Sequence, residues 1–154
     1  MLRKISLIIL FIITNSCGYE AMHSKKNKMI YNFTIVEIIF DGDRDINIKI
    51  KEQLSNYLGL KAEKAFELVV KSVSERTITA KDVQANPISY KNTTAVYVDI
   101  LFKDKVKSSL KIERSFKYDN KTNKFDLATY ERDLKINMAE EITKELILKL
   151  SNIQ

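Results

Sequence analysis

The residues of this chain best suited to chemistry are its one cysteine and its one histidine, Cys17 and His23. A catalytic nucleophile needs a base within hydrogen-bond reach and a third group that orients the base. Cys17 follows an N-terminal leader and His23 lies in the polar stretch after it, so neither a Cys/His nor a Ser/His/Asp arrangement is available. The sequence also has no Gly-rich phosphate loop. We therefore expect no enzyme and no cofactor, although an enzyme that uses only carboxylates or lysine stays open.

A lone cysteine cannot form a disulfide within its own chain. The residues before Cys17 instead indicate that the thiol lies just after an export signal. Arg3 and Lys4 give a positive start, and Ile5 to Ile13 form an apolar run that only Ser6 interrupts. As a helix, this run would span about 13 Å at about 1.5 Å per residue, against a hydrocarbon layer of about 30 Å. The pattern is typical of an export signal and is too short for a membrane span.

This leader resembles a bacterial lipoprotein signal, in which the cysteine is acylated and becomes the first residue of the mature protein. Ser16 fits the usual pattern, whereas Thr14 replaces the usual aliphatic residue and Asn15 is uncommon. The resemblance implies lipidation of Cys17 with several acyl chains, and two or more chains anchor a protein stably. Gly18 resembles the residue found in lipoproteins sorted to the outer membrane. Two alternatives are an ordinary secreted protein cut near Ser16 and a buried cysteine in an uncleaved helix.

Composition predicts one folded domain behind this leader. Glycine and proline are scarce, with three and one in the chain, so the sequence is neither disordered nor of low complexity. We expect residues 1–16 to be the signal peptide, 17–28 a polar tether and 29–154 a single domain large enough for a real core. His23 has no second ligand at metal-binding spacing in the tether.

A turn rich in acids invites a calcium interpretation. Asp41, Asp43, Asp45 and Glu52 match positions one, three, five and twelve of an EF-hand loop. That loop also requires a glycine at position six and a helix before it. Here Ile46 stands at position six and the preceding segment has a strand pattern, so we interpret the acids as turn and helix-cap residues and expect no metal site.

The net charge of +6 does not predict a nucleic-acid protein. The lysines alternate with acids along nearly every segment, whereas nucleic-acid proteins more often concentrate arginines and aromatics on one stripe. Lys103, Lys105 and Lys107 fall in a predicted hairpin turn, where they are either solvated or bind an anionic lipid or saccharide phosphate. Arg114 shares its strand face with apolar residues. It either extends from the sheet edge into water or contacts a partner or an anion.

Hydrophobic periodicity predicts a strand and a helix in the first half of the domain. Met29 to Phe40 is rich in β-branched and aromatic residues on both alternating faces, which predicts a central strand covered on both sides. Ile46 to Leu58 repeats at helical spacing, and we expect Asp45 to cap this helix and Gly59 to end it.

The second half of the domain has the pattern of three strands and a helix. One strand runs from Phe66 to about Thr79, a second alternates from Thr94 to Lys103, and a third shares a face from Leu110 to Tyr118. Leu127 to Leu150 recurs every three or four residues, which predicts a long amphipathic helix. The predicted fold class is α+β, with the order β-α-β-β-β-α. It comprises a four-stranded mixed sheet with one parallel crossover and two helices packed on one face.

The motifs of the mature chain resemble those of the lipopolysaccharide-assembly lipoprotein family. Members begin Cys-Gly-aromatic, as Cys17-Gly18-Tyr19 does. They continue with the same order of strands and helices and with a strand end like Arg114-Ser115-Phe116-Lys117-Tyr118 before a closing helix. This family is the small outer-membrane partner of the lipopolysaccharide translocon β-barrel.

The resemblance implies a non-enzymatic protein on the periplasmic face of the outer membrane. It would fill the barrel as a plug and assembly partner and help deliver lipopolysaccharide to the outer leaflet. We expect an apolar surface away from the helices to be available for the barrel, formed by Tyr31, Phe33, Ile35, Tyr97 and Leu101. The alternatives are a stand-alone envelope lipoprotein that binds a small ligand or peptidoglycan, and a secreted domain with an incidental thiol.

Overall fold

The computed structural model of the protein describes residues 32–153. These residues form four strands and two helices, with a short 3-10 turn, Ser55–Tyr57, after the first helix. The element order matches the predicted β-α-β-β-β-α. The elements are β1 (Phe33–Gly42), α1 (Arg44–Leu54), β2 (Lys64–Lys81), β3 (Pro87–Phe102), β4 (Lys105–Asp119) and α2 (Lys124–Ser151). None of the helices within these residues is long and apolar enough to span a membrane.

The sheet is mixed, as predicted, with the strand order β1-β2-β3-β4. β1 pairs with β2 in parallel, and the chain crosses between them through α1. The other two pairs are antiparallel hairpins. The turn between β3 and β4 consists of Lys103 and Asp104, with φ of +53° and +61°. Positive φ at both central residues is characteristic of the two-residue hairpin turn that matches the twist of the strands.

β1 is an edge strand, so the prediction of a central strand covered on both sides is wrong. The pairing with β2 shifts register between Ile35 and Glu37, which places a bulge at Val36. A bulge moves the following side chains to the other face. Phe33 and Ile35 are therefore buried before the bulge, while Val36 and Ile39 are 62% and 55% exposed. The apolar residues on both alternating faces reflect this shift in register.

The main core lies between one face of the sheet and the two helices. Alternate residues of β2 and β3 supply the sheet side, and both helices contribute one stripe each. The fully buried members with the largest side chains are Phe33, Phe66, Ile35, Ile46, Ile50, Leu54, Leu68, Ile100, Ile112, Ile142, Leu146 and Leu150. The predicted packing of both helices on one face of the sheet is confirmed.

The ends of α1 differ from the prediction by a few residues. Asp43 caps its N-terminus, because the Asp43 side chain accepts hydrogen bonds from the backbone N–H groups of Asp45 and Ile46 at 3.0 and 3.2 Å. Asp45 is thus inside the first turn. The helix ends at Leu54, and Gly59 follows the 3-10 turn with a φ of +64°. The apolar repeat that suggested a longer helix includes Tyr57, which packs at the edge of the core from the 3-10 turn.

Gly42 makes the close junction between β1 and α1 possible. Its φ is +95°, and a Cβ at this position would overlap the carbonyl of Ser72 on β2. The next residue, Asp43, donates its backbone N–H to that same carbonyl at 3.2 Å. Glycine therefore lets the capping residue sit directly beside the sheet.

Candidate functional site

The predicted lipidation site Cys17 and the tether residue His23 lie outside the described residues. The division into signal peptide, tether and domain therefore stays a prediction, as does acylation of the cysteine. The described residues contain the other predicted site residues, which can be placed on the fold.

The predicted lysine cluster lies at one end of the β3–β4 hairpin. Lys103 is in the turn, while Lys105 and Lys107 lie on the first residues of β4, and all three are exposed. The ammonium groups of Lys103 and Lys107 are 5.3 and 5.6 Å from the centre of the Phe102 ring. Phe102 in turn contacts the core residue Phe66 at 6.4 Å between rings. The aromatic ring thus brings two of the three lysines together at the sheet end.

Arg114 lies on the helix side of β4, as its alternation predicted, and its guanidinium is bound by acids of α2. Its Nη2 is 2.6 Å from a carboxylate oxygen of Glu145 and its Nε is 3.6 Å from Glu141. The hydrogen bond from Arg114 lowers the pKa of Glu145 below its ordinary value. Arg114 is seven positions beyond Lys107 on an extended strand, roughly 24 Å away at about 3.4 Å per residue. The predicted basic residues therefore lie at two separate places on the β3–β4 hairpin.

The acidic turn is used within the fold. Asp43 caps α1 and its second oxygen lies 2.8 Å from Nζ of Lys135, while Asp45 lies 3.3 Å from the same ammonium group. Glu52 pairs with Lys49 on the exposed side of α1. No group of three or more metal-ligating side chains occurs within residues 32–153. Asp43 and Asp45 thus support the helix junction, which agrees with the turn-and-cap interpretation for these two acids.

The face of the sheet away from the helices is open, and its apolar residues differ from those expected. Phe33 and Ile35 are buried in the core because they precede the bulge, and Tyr31 lies outside the described residues. Tyr97 and Leu101 are on the open face, as expected, and Tyr97 is 44% exposed. The strand register places three further exposed apolar side chains on this face, namely Ile39, Val69 and Val73.

Charged residues surround this open-face patch, which we define as Ile39, Val69, Val73, Tyr97 and Leu101. Lys71 on β2 and Lys111 on β4 both pair with Tyr97 in the sheet, and Glu113 pairs with Ala95. The ammonium of Lys111 is 5.7 Å from the Tyr97 ring and 2.7 Å from a Glu113 oxygen. A partly apolar patch with a charged border is typical of a surface that contacts another molecule.

A second apolar cluster, which the sequence analysis did not find, joins the far end of the sheet to the start of α2. Tyr90, Tyr118 and Leu127 are buried there, and Tyr130 packs beside them. The Tyr118 hydroxyl donates a 2.7 Å hydrogen bond to Glu131, whose carboxylate also binds Arg76 at 3.0 Å. Burial, followed by the hydrogen bond to Glu131, raises the pKa of Tyr118. Tyr118 near the end of β4 and Tyr130 near the start of α2 were the local sequence signals for this cluster, and Tyr90 comes from the neighbouring strand.

A cleft of about 590 Å³ opens beside this tyrosine cluster. Its walls include Tyr90, Leu127 and Pro87, the first residue of β3, and its cationic groups include Arg76 and Lys121. Arg76 lies 4.9 Å from the centre of the Tyr90 ring. Aromatic faces with a few polar groups are common in small-ligand sites.

The fold is shared with several bacterial lipoproteins of known structure. Rare lipoprotein B from Shewanella oneidensis superposes with a TM-score of 0.59 at 16% identity, over 77% of this chain and 98% of that one. A minor lipoprotein from Acinetobacter baumannii gives 0.60 at 12% identity, over 79% and 92%. Lipoprotein B from Nitrosomonas europaea gives 0.52 at 15% identity, over 77% and 83%.

At these identities the likeness shows the fold, and the fold that the family resemblance predicted is confirmed. No protein-family model matches the chain, and no curated protein matches its sequence. The described domain thus has the α+β fold found in this group of lipoproteins.

Proposed function

We propose that this chain is a non-enzymatic lipoprotein of the outer membrane, anchored on the periplasmic face through Cys17. It pairs with the lipopolysaccharide translocon β-barrel as plug and assembly partner, and it helps insert lipopolysaccharide into the outer leaflet. The observation that carries the proposal is the fold, which solved lipoproteins share over more than nine-tenths of the length of two of them. The Cys17-Gly18-Tyr19 start of the predicted mature chain supports the same conclusion.

The open-face patch is the surface that best suits contact with the barrel. The opposite face of the sheet is covered by both helices, so this face is where a partner could bury further apolar area. Its border of lysines and acids provides polar contacts around an apolar centre. Lys103, Lys105 and Lys107 at the hairpin end would meet phosphates of the glycolipid, and a solvated turn is the alternative for them.

Detergent extraction followed by purification of the tagged full chain tests the proposal. We expect a large β-barrel protein to co-purify with the wild type. We also expect the Tyr97→Glu variant to co-purify with much less of this barrel protein, because a charge would enter the centre of the open-face patch. The matched control is Leu148→Glu, since Leu148 is about as exposed but lies on the outer side of α2. Purification of the chain alone, with normal barrel assembly in its absence, would refute the proposal.

The anchor and the phosphate contacts need separate measurements. Mass spectrometry of the mature N-terminus should find acyl chains on Cys17, and an unmodified cysteine would defeat the anchor. Replacing Lys103, Lys105 and Lys107 together by serine should weaken lipopolysaccharide binding. Unchanged binding would remove the phosphate contacts while leaving the barrel partnership intact.

A second candidate function is a stand-alone envelope lipoprotein that binds a small ligand or peptidoglycan. The cleft beside Tyr90 favours it, because aromatic and cationic groups converge there. Isothermal titration with soluble peptidoglycan fragments would separate the two functions. Binding that Tyr90→Ala abolishes, in a chain that purifies without a barrel, would favour the second.

A further inference from the structure

β4 is an edge strand of the sheet. Among the described residues it pairs only with β3. The backbone N–H of Asn120 donates to the Ile88 carbonyl at 2.8 Å, which continues the ladder in the same register as the pair Tyr118–Tyr90. In an antiparallel ladder, successive residues alternate between bonding inward and facing away. The backbone groups of Lys111, Glu113, Ser115 and Lys117 therefore point outward, away from β3, and among them the Glu113 carbonyl accepts a 2.9 Å hydrogen bond from Nη1 of Arg114.

A groove of about 380 Å³ runs beside this edge, between β4 and α2, and its lining includes the charged residues Arg114, Asp133 and Glu141. Phe116 from the strand and Tyr130, Leu134 and Met138 from the helix form its apolar lining. Phe116 is 50% exposed although it is on the helix side of the sheet. An added strand next to β4 would direct alternate side chains towards α2, so one of them would reach this groove.

The charge of β4 favours some binding partners at its edge over others. β4 carries five basic residues and two acids. Pairing β4 with β4 of a second copy would bring together two strands of the same net charge, which is unfavourable. The chain's own tether is also basic, with Lys25, Lys26 and Lys28. An acidic strand, in contrast, would meet the side chains of Lys117 and of Lys111, whose ammonium group also lies 2.7 Å from a Glu113 oxygen.

We propose that the β4 edge and the groove beside it bind an extended, acidic segment of another protein by strand addition. The added strand bonds to the outward backbone groups of Lys111, Ser115 and Lys117 and places one apolar side chain between Phe116 and Leu134. Main-chain bonds give affinity in this mode and the groove gives specificity. The proposal rests on the domain alone and is independent of the partnership with a β-barrel.

Fluorescence anisotropy with the purified full chain in detergent tests the proposal. The probe is a labelled peptide, Glu-Val-Glu-Leu-Glu-Val-Glu, and the control peptide has lysine in place of each glutamate. We expect saturable binding of the acidic peptide and at least tenfold weaker binding of the lysine peptide. Equal binding of the two peptides, or no binding of either, would overturn the proposal. A dimer that forms through β4 without peptide would overturn it in favour of self-pairing.

Two variants locate the binding on the edge. Ser115→Pro removes one outward N–H without breaking the ladder to β3, and it should weaken binding of the acidic peptide at least tenfold. Ser115→Thr keeps that N–H and should bind as the wild type does. Should the proline variant fold poorly, the Lys111→Glu/Lys117→Glu double variant replaces it, and its preference should reverse towards the lysine peptide. Lys51→Glu, on α1, is the charge control, and wild-type preference in the double variant would contradict the proposal.

Discussion

Nζ of Lys135 on α2 lies 2.8 Å from Oδ2 of Asp43, the residue that caps α1. One carboxylate thus serves two helices, because its other oxygen accepts the N–H groups of Asp45 and Ile46. The side chains of Asp43 and Lys135 are each about one-fifth exposed, which makes this the most buried ion pair within residues 32–153. Its geometry links the start of the first helix to the middle of the last one.

Removing the ammonium group should destabilise the domain. We expect Lys135→Met to lower the free energy of unfolding by about 1–2 kcal/mol, because it leaves a half-buried carboxylate without its charged partner. Urea denaturation followed by circular dichroism measures the change. Lys144→Met is the control, since Lys144 pairs with Glu140 on the surface of α2 and should have no measurable effect. Equal effects of the two variants would contradict a special role for Lys135.

The same pair predicts a loss of stability in acid. Burial alone would raise the pKa of Asp43, but the hydrogen bond from Lys135 and the backbone N–H groups hold it below the ordinary 3.8. A lowered pKa gives stability that is present above about pH 4 and is lost as the pH falls through the folded value. Asp43→Asn keeps a capping side chain and removes the charge. Its free energy of unfolding should therefore decline less than that of the wild type between about pH 5 and pH 2.

Gly42 should tolerate no side chain. We expect Gly42→Ala to cost more than about 3 kcal/mol, because the new Cβ would overlap the Ser72 carbonyl at a positive φ. Thermal denaturation of purified protein measures the effect. Gly59→Ala is the matched control: Gly59 also has a positive φ, but a Cβ added there would meet no atom within 4 Å. Its cost should be about 1 kcal/mol.

The Tyr118 hydroxyl should contribute to the second apolar cluster. Tyr118→Phe removes the hydrogen bond to Glu131 and should cost about 1–2 kcal/mol, whereas Tyr97→Phe on the open face should cost under about 0.5 kcal/mol. Because burial and Glu131 raise the pKa of Tyr118, its contribution is present below about pH 10 and is lost as the pH rises further. Tyr118→Phe should therefore flatten the alkaline decline in unfolding free energy. An unchanged alkaline profile would contradict the assignment.

Periodicity was sufficient to predict the element order and the faces that pack. The stripe from Leu127 to Leu150 and the alternation from Thr94 to Phe102 are both realised, because each matches the period of its element. Position in the sheet was harder to predict. The bulge at Val36 shifts the register of β1. The apolar residues that face the core therefore occupy odd positions before the bulge and even positions after it, and in the sequence this is indistinguishable from a strand that is buried on both faces.

The functional surfaces were less predictable because they depend on contacts between distant segments. Arg114 was recognised as unusual, but its partner Glu145 comes from a helix 31 positions away. The tyrosine cluster combines Tyr90, Tyr118 and Tyr130 from three elements. The pattern within one segment does not predict contacts between different elements. The hairpin between β3 and β4 was predicted because a turn is a local feature, but of the three lysines assigned to the turn only Lys103 is in it, and Lys105 and Lys107 belong to β4.

The burial of Leu146 and Leu150 near the end of α2 has a consequence for the order in which the domain forms. These side chains complete a core whose other members include Phe33 and Ile35, more than one hundred positions earlier. The first strand and the first helix therefore have no complete apolar partner while the chain is being synthesised. Ribosome-bound chains that end before Leu146 should remain sensitive to protease, and resistance should appear only after the last turns of α2 have emerged.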